Sequence, residues 1–127
     1  MINKELFELA KKAAQQAYAP YSKFSVGAAL LTQTGNIYNG CNVENSSYGL
    51  TMCAERNAIF NMIANGDKLI IEIAIYVDAD MLFPPCGACR QVLAEFGEDI
   101  KIYYGNDKKI VETTLKELLP HTFRINN

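Results

Sequence analysis

Apolar residues recur three and four positions apart from Lys4 to Tyr18, at Leu6, Leu9, Ala10, Ala13, Ala14 and Ala17, a spacing that predicts an amphipathic helix. Asn3 stands where an N-cap belongs, and Ala19-Pro20 ends the helix because proline disfavours helical backbone in the residue before it. After the linker Tyr21-Ser22-Lys23, Phe24 to Thr32 predicts a strand. Thr34-Gly35-Asn36 carries turn chemistry and Ile37 to Val43 resumes extended structure, so the two runs predict an antiparallel hairpin. Asn45 to Thr51 is a polar loop. Helical spacing returns from about Ala54 to Ala64 and stops at Asn65-Gly66. Leu69 to Val77 is a nearly continuous apolar run suited to a central strand buried on both faces. A stretch ending in Pro84-Pro85 leads to a third helix over Gly87 to Phe96 and a strand over Ile100 to Tyr104. Thr114-Leu115-Lys116-Glu117 has the spacing of a capping box at the start of a last short helix.

This order of helices and strands predicts a layered α/β domain with a mixed sheet and helices on both faces. At 127 residues, without repeat or linker, the chain is expected to form one domain spanning 1–127. Half of its residues are hydrophobic and a fifth charged, the balance of an ordered protein. The net charge of −2 supplies no cationic surface for long nucleic acid. No apolar run approaches the ~20 residues of a membrane span, and the first residues lead into the amphipathic helix, so a cytoplasmic protein is expected.

In a reducing compartment, grouped cysteines point to metal or chemistry more than to disulfides. Cys86 and Cys89, two residues apart at the start of a predicted helix, can both reach one ion, and Cys53 before another helix is the third ligand candidate. Three protein ligands leave a fourth tetrahedral position for water, the pattern of catalytic zinc, whereas four close a structural site. Cys41 lies on a strand beside Asn42, and neighbouring strand residues face opposite ways, so if Asn42 and Glu44 face the site Cys41 does not. His121, the sole histidine, is read as a surface residue. Glu55 falls near the middle of the face formed by Ala58, Ile59, Met62 and Ile63. A carboxylate placed there is paired or functional, and beside an open zinc it suits proton transfer. On the third helix Cys89, Val92, Leu93 and Phe96 share a face, so both helices are expected to bring their first turns to one ion on one side of the sheet.

Cys53-Ala54-Glu55 followed by Pro85-Cys86-Gly87-Ala88-Cys89-Arg90-Gln91 resembles the cytidine deaminase family, specifically its short-chain, homotetrameric branch. Asn42-Val43-Glu44-Asn45, Ser47-Tyr48-Gly49, Leu118-Leu119-Pro120 and Phe123 extend the resemblance over essentially the whole chain. It implies a three-layer α/β/α domain with a mixed sheet of about five strands and one zinc per subunit held by Cys53, Cys86 and Cys89. It also implies that Glu55 takes a proton from water, lets hydroxide attack C4 of cytosine, and protonates N3 and the departing amino group. Cytidine and 2′-deoxycytidine would become uridine and 2′-deoxyuridine with release of ammonia, a step of pyrimidine salvage. By the same resemblance Asn42 and Glu44 bind the ribose, Phe24 packs against the nucleoside and Ala54 offers backbone groups to the pyrimidine. Phe123 and Tyr48 serve sites shared between subunits of a homotetramer. Arg56 is expected to hydrogen-bond a zinc-bound sulfur, since three thiolates and one zinc ion sum to −1. Blasticidin-S deamination, and a zinc-stabilised module without turnover, are the competing readings.

Overall fold

The structure, a computed structural model, describes residues 2–125. Of the 1–127 span expected as one domain, Met1, Asn126 and Asn127 lie outside the described residues. The elements run α1 (Lys4–Ala14), β1 (Val26–Thr32), β2 (Ile37–Cys41), α2 (Ala54–Ala64), β3 (Ile70–Val77), α3 (Gly87–Glu95), β4 (Lys101–Gly105), β5 (Ile110–Thr114) and α4 (Leu115–Leu118), with a 3-10 turn at Tyr48–Leu50.

The strands form one mixed sheet in the order β2-β1-β3-β4-β5. β1 pairs antiparallel with β2 and with β3, so the hairpin is as expected. β3 and β4 are parallel and joined through α3, and β5 returns antiparallel along β4. Strand alternation then sorts the core into two layers. Ala29, Ala74, Tyr76 and Tyr103 face Leu6, Phe7, Ala10 and Ala14 of α1. Ala28, Leu30, Ile73, Ile75 and Ile102 face Ala58, Ile59 and Met62 of α2, Leu93 of α3 and Leu115 of α4. Thus β3 is buried on both faces, and the two cysteine-bearing helices lie on the same side of the sheet. Gly40 on β2 lets the backbone of α2 come close, and Gly27 on β1 does the same for α1.

The Asn3 side chain caps α1 by accepting from Leu6 N at 3.1 Å. The helix ends at Ala14, short of the expected Tyr18, because the following chain is drawn into extended pairing: Tyr18 N donates to Asn42 O and Glu44 N to Tyr18 O. β1 begins at Val26 and not at Phe24, and Val43 lies beyond β2, bridging Tyr18 and Met52. The capping box at α4 is half formed. Thr114 accepts from Glu117 N, while the Glu117 carboxylate accepts from the hydroxyl of Thr113.

Candidate active site

Cys53 and Cys86 occupy the N-cap positions of α2 and α3 in extended backbone, and neither sulfur caps its own helix. Both sulfurs are therefore free to turn toward each other and toward Cys89, one turn into α3. The Sγ atoms of Cys53 and Cys86 are 4.0 Å apart and those of Cys86 and Cys89 3.5 Å. Four tetrahedral bonds of ~2.3 Å put sulfurs about 3.8 Å apart around a zinc ion, so this spacing suits one. Among the described residues this is the one group of three or more such ligands. Helix N-termini aimed at sulfur favour thiolate over thiol.

Arg56, in the first turn of α2, donates from Nη2 to Cys53 Sγ at 3.4 Å. The Cys53 thiol is lowered to about 5, chiefly by the hydrogen bond from Cys89 and further by Arg56, against the effect of burial. The Cys89 thiol shifts upward, because that same hydrogen bond holds its proton in place. Arg56 Nε is buried without a hydrogen-bond partner. Neutral thiols accept weakly, so the partly buried guanidinium and its buried Nε are better served by metal-bound thiolates. The donor set thus fits zinc, with the fourth coordination position left to a non-protein ligand.

Glu55 is only 5% exposed despite its charge. Burial raises its carboxyl to about 7, helped by the neighbouring Cys53, while a backbone hydrogen bond opposes the shift. It lines a cavity of about 310 Å³ together with Cys53, Ala54, Cys86 and Asn42. Val26 and Ile75 place this cavity at the carboxyl end of β3, where open α/β sheets bind ligands. Ile63, expected on the same helix face as Glu55, is instead 40% exposed.

Asn42 is fixed on both sides of its carboxamide, with Oδ1 accepting from Val26 N at 2.9 Å and Nδ2 donating to Phe24 O at 2.7 Å. Glu44 lines the neighbouring cavity, which shares Thr51 with the first. Its carboxylate accepts from the backbone of Tyr21 and Ser22 and from the Ser22 hydroxyl. Those bonds, the Ser22 hydroxyl first, hold it below its usual value against burial. Phe24 stands one ring back from the first cavity, edge-on to Phe83, which does line it. Tyr48 is 74% exposed against Tyr21, and Phe123 is 70% exposed with its carbonyl accepting from Gln91 Nε2. Neither lines the cavity beside Glu55.

Cys41 pairs with Gly27, which abuts α1, so its side chain lies on the α1 face, away from the three sulfurs. His121 is exposed in the C-terminal segment and outside the sulfur group. Phe83, Pro84, Thr51 and Met52 complete the lining without having been singled out in the sequence. The proximity of Phe83 to Cys86, three residues on, was the available signal.

The family model described as the cytidine and deoxycytidylate deaminase zinc-binding region matches residues 1–106. A cytidine deaminase from Sporosarcina psychrophila is 50% identical over 121 residues, 94% of this chain and 89% of that protein. The 1.6 Å crystal structure of cytidine deaminase from Burkholderia pseudomallei matches with a TM-score of 0.90 at 44% identity, covering 97% of this chain and 100% of that one. A blasticidin-S deaminase from Bacillus cereus stands further off, 32% identical over 130 residues, 96% of this chain and 92% of that protein.

Proposed function

Because the chain belongs to the cytidine and deoxycytidylate deaminase family and is a zinc-dependent enzyme acting on cytidine, we infer that Cys53, Cys86 and Cys89 hold the metal and Glu55 moves the protons. The reaction exchanges the C4 amino group for oxygen, consuming water and releasing ammonia, so cytidine becomes uridine. When bound, zinc supplies Lewis-acid activation of water at neutral pH. The observation that carries the assignment of Glu55 is its burial in the same cavity as Cys53 and Cys86. A carboxylate there accepts a proton from water and delivers it to N3, then accepts the second proton from the oxygen newly joined to C4 and delivers it to the departing amino group, acting in turn as base and acid.

Asn42 and Glu44 serve the ribose. Both are held rigidly by backbone partners. The Glu44 carboxylate, which accepts from three protein donors, has acceptor capacity left for a sugar hydroxyl. The same arrangement accepts 2′-deoxycytidine, giving 2′-deoxyuridine. Ala54, at the start of α2, offers its backbone to the pyrimidine, and Phe24 packs toward the base. Arg56 tempers the charge on the sulfurs. Exposed Phe123 and Tyr48 support sites completed by other subunits of a homotetramer, built from one catalytic domain per chain and working in the cytoplasm in pyrimidine salvage. No helix among the described residues is long and apolar enough to cross a membrane.

Glu55→Gln keeps the shape of the side chain and removes its proton chemistry. Turnover of cytidine is expected to fall at least about a hundredfold, the usual lower range for a lost general acid-base, with zinc content unchanged. Retained turnover would remove Glu55 from the role.

A further inference from the structure

We propose that Asn106 is a positioning residue of this site: from outside the cavity, its carboxamide fixes the segment between β3 and α3 that brings Phe83, Pro84 and Cys86 beside Glu55. The proposal rests on the deamination reading above for what the cavity binds.

Asn106 follows the last residue of β4, which runs parallel beside β3, so it stands next to the point where the chain leaves β3 for α3. It is only 6% exposed, and a polar side chain so buried must have its hydrogen-bonding groups matched. Both halves of the carboxamide are. Oδ1 accepts from Lys108 N at 2.9 Å and Lys109 N at 3.0 Å, closing the turn into β5. Nδ2 donates to Ala79 O at 3.0 Å and, more weakly, to Met81 O at 3.5 Å. The first half is a local turn that aspartate or serine also makes. The second half reaches far back along the chain and requires an amide, since only a donor satisfies two carbonyls.

The segment depends on that reach. Its residues follow neither a helical nor an alternating pattern. Asp78 N donates to Ser25 O at its start, and Pro85 O accepts from Arg90 Nε near its end. Between those ends, among the described residues, the hydrogen bonds to the backbone are the two from Asn106, while Leu82, Phe83 and Pro84 make none. The Lys108–Asp80 ion pair joins the same two stretches at 3.0 Å, but both side chains are largely exposed and such a pair adds little. Phe83, Pro84 and Cys86 all line the cavity that holds Glu55. Releasing the segment therefore disturbs the substrate's surroundings and one sulfur of the metal site together. Glu55 and Cys53 stand with α2 and stay in place.

The test separates the two halves of the carboxamide. Asn106→Asp keeps the turn acceptor and sets an oxygen against the two carbonyls where the donor was. Asn106→Ser also keeps a turn acceptor, adds no charge and is too short to reach the carbonyls, so it carries the same readout should Asn106→Asp fail to fold. On zinc-loaded protein, kcat and KM for cytidine, the rate of zinc transfer to an excess of chelator, and Tm are measured. In both variants KM and the zinc-release rate should each rise about tenfold, the size of a lost hydrogen bond whose acceptors are left unpaired. The value of kcat should stay within about threefold, because Glu55 is not displaced. Lys108→Ala, which removes only the exposed ion pair, should match wild type in all of these.

A lower Tm with KM and zinc release both within about twofold of wild type would show that Asn106 serves the turn alone, and would overturn the proposal. So would rises of the same size in Lys108→Ala. Wild-type protein that holds zinc without turning over cytidine would overturn the deamination reading, and the zinc-release rates would still decide whether Asn106 fixes the segment.

Discussion

Replacing Gly40 by alanine should damage the enzyme through a single methyl group placed far from any reacting atom. Gly40 sits on β2 opposite Ala28 and faces α2. A Cβ built there would lie 2.4 Å from Ala58 N, 2.7 Å from Ala54 O and 2.8 Å from the carbonyl carbon of Asn57. All three neighbours are backbone, so no side chain can rotate away. Since real Cβ contacts essentially never fall below 3.0 Å, the helix must retreat by at least about 0.6 Å. Overpacking of this kind typically costs about 1–3 kcal/mol. In a chain of 127 residues this corresponds to a fall in Tm of roughly 4–11 °C. The displaced helix carries Glu55 in its first turn and Cys53 at its cap, while Cys86 and Cys89 stay with α3. A misplacement approaching 1 Å costs on the order of a hundredfold in turnover. Thermal unfolding and steady-state kcat measure the two effects, with Gly35→Ala as control. Gly35 has φ +87° and nothing within 4 Å, so alanine there strains only its own backbone. Gly40→Ala that melts within about 2 °C of wild type and keeps full kcat would refute this close packing, since the expected shift is at least about twice that.

Arg56→Ala removes the donor to Cys53 Sγ and should weaken zinc affinity about ten- to a hundredfold in a chelator competition; unchanged affinity and turnover would refute that role. Asp67 accepts through Oδ2 from Thr32, Thr34, Asn36 and Tyr38, tying the β1–β2 hairpin to the segment after α2. Those bonds, Thr34 first, hold its carboxyl below 3.8 against burial. The unfolded chain therefore binds the proton more tightly, and the stability Asp67 contributes is present above its unfolded pKa and lost as pH falls through the folded one. Asp67→Asn should melt lower than wild type at pH 7, with the gap closing below about pH 4; a constant gap would contradict the assignment. Cys41→Ser, on the α1 face, should keep full zinc content and turnover, and loss of zinc would place Cys41 in the site.

The elements most legible in the sequence were those specified by nearby residues. α2 runs over Ala54–Ala64 as its spacing predicts and stops where Gly66 takes a φ of +86°. The last strand, β5, is not signalled locally, because five residues at a sheet edge gain their conformation from pairing with β4. The end of α1 was set by Tyr18 pairing with the chain around Val43, a contact invisible to periodicity. The cysteine spacing and the placement of Glu55 on an apolar helix face gave the chemical centre. The wall of the cavity did not show itself, since Phe83 lies in a segment without period and meets Phe24 only through the fold. Tyr48 and Phe123 stand outside the cavity beside Glu55, and nothing in their local sequence places them relative to it.

The central claim is that three cysteines and a buried glutamate make this chain a hydrolytic deaminase. Purified protein should be assayed for zinc and mixed with cytidine while ultraviolet absorbance and ammonia are followed together, with Glu55→Gln in parallel. Zinc is expected in both proteins, and in the wild type alone a loss of the cytidine band matched mole for mole by ammonia. Zinc bound without turnover of cytidine or 2′-deoxycytidine, or a Glu55→Gln protein as fast as wild type, would contradict it.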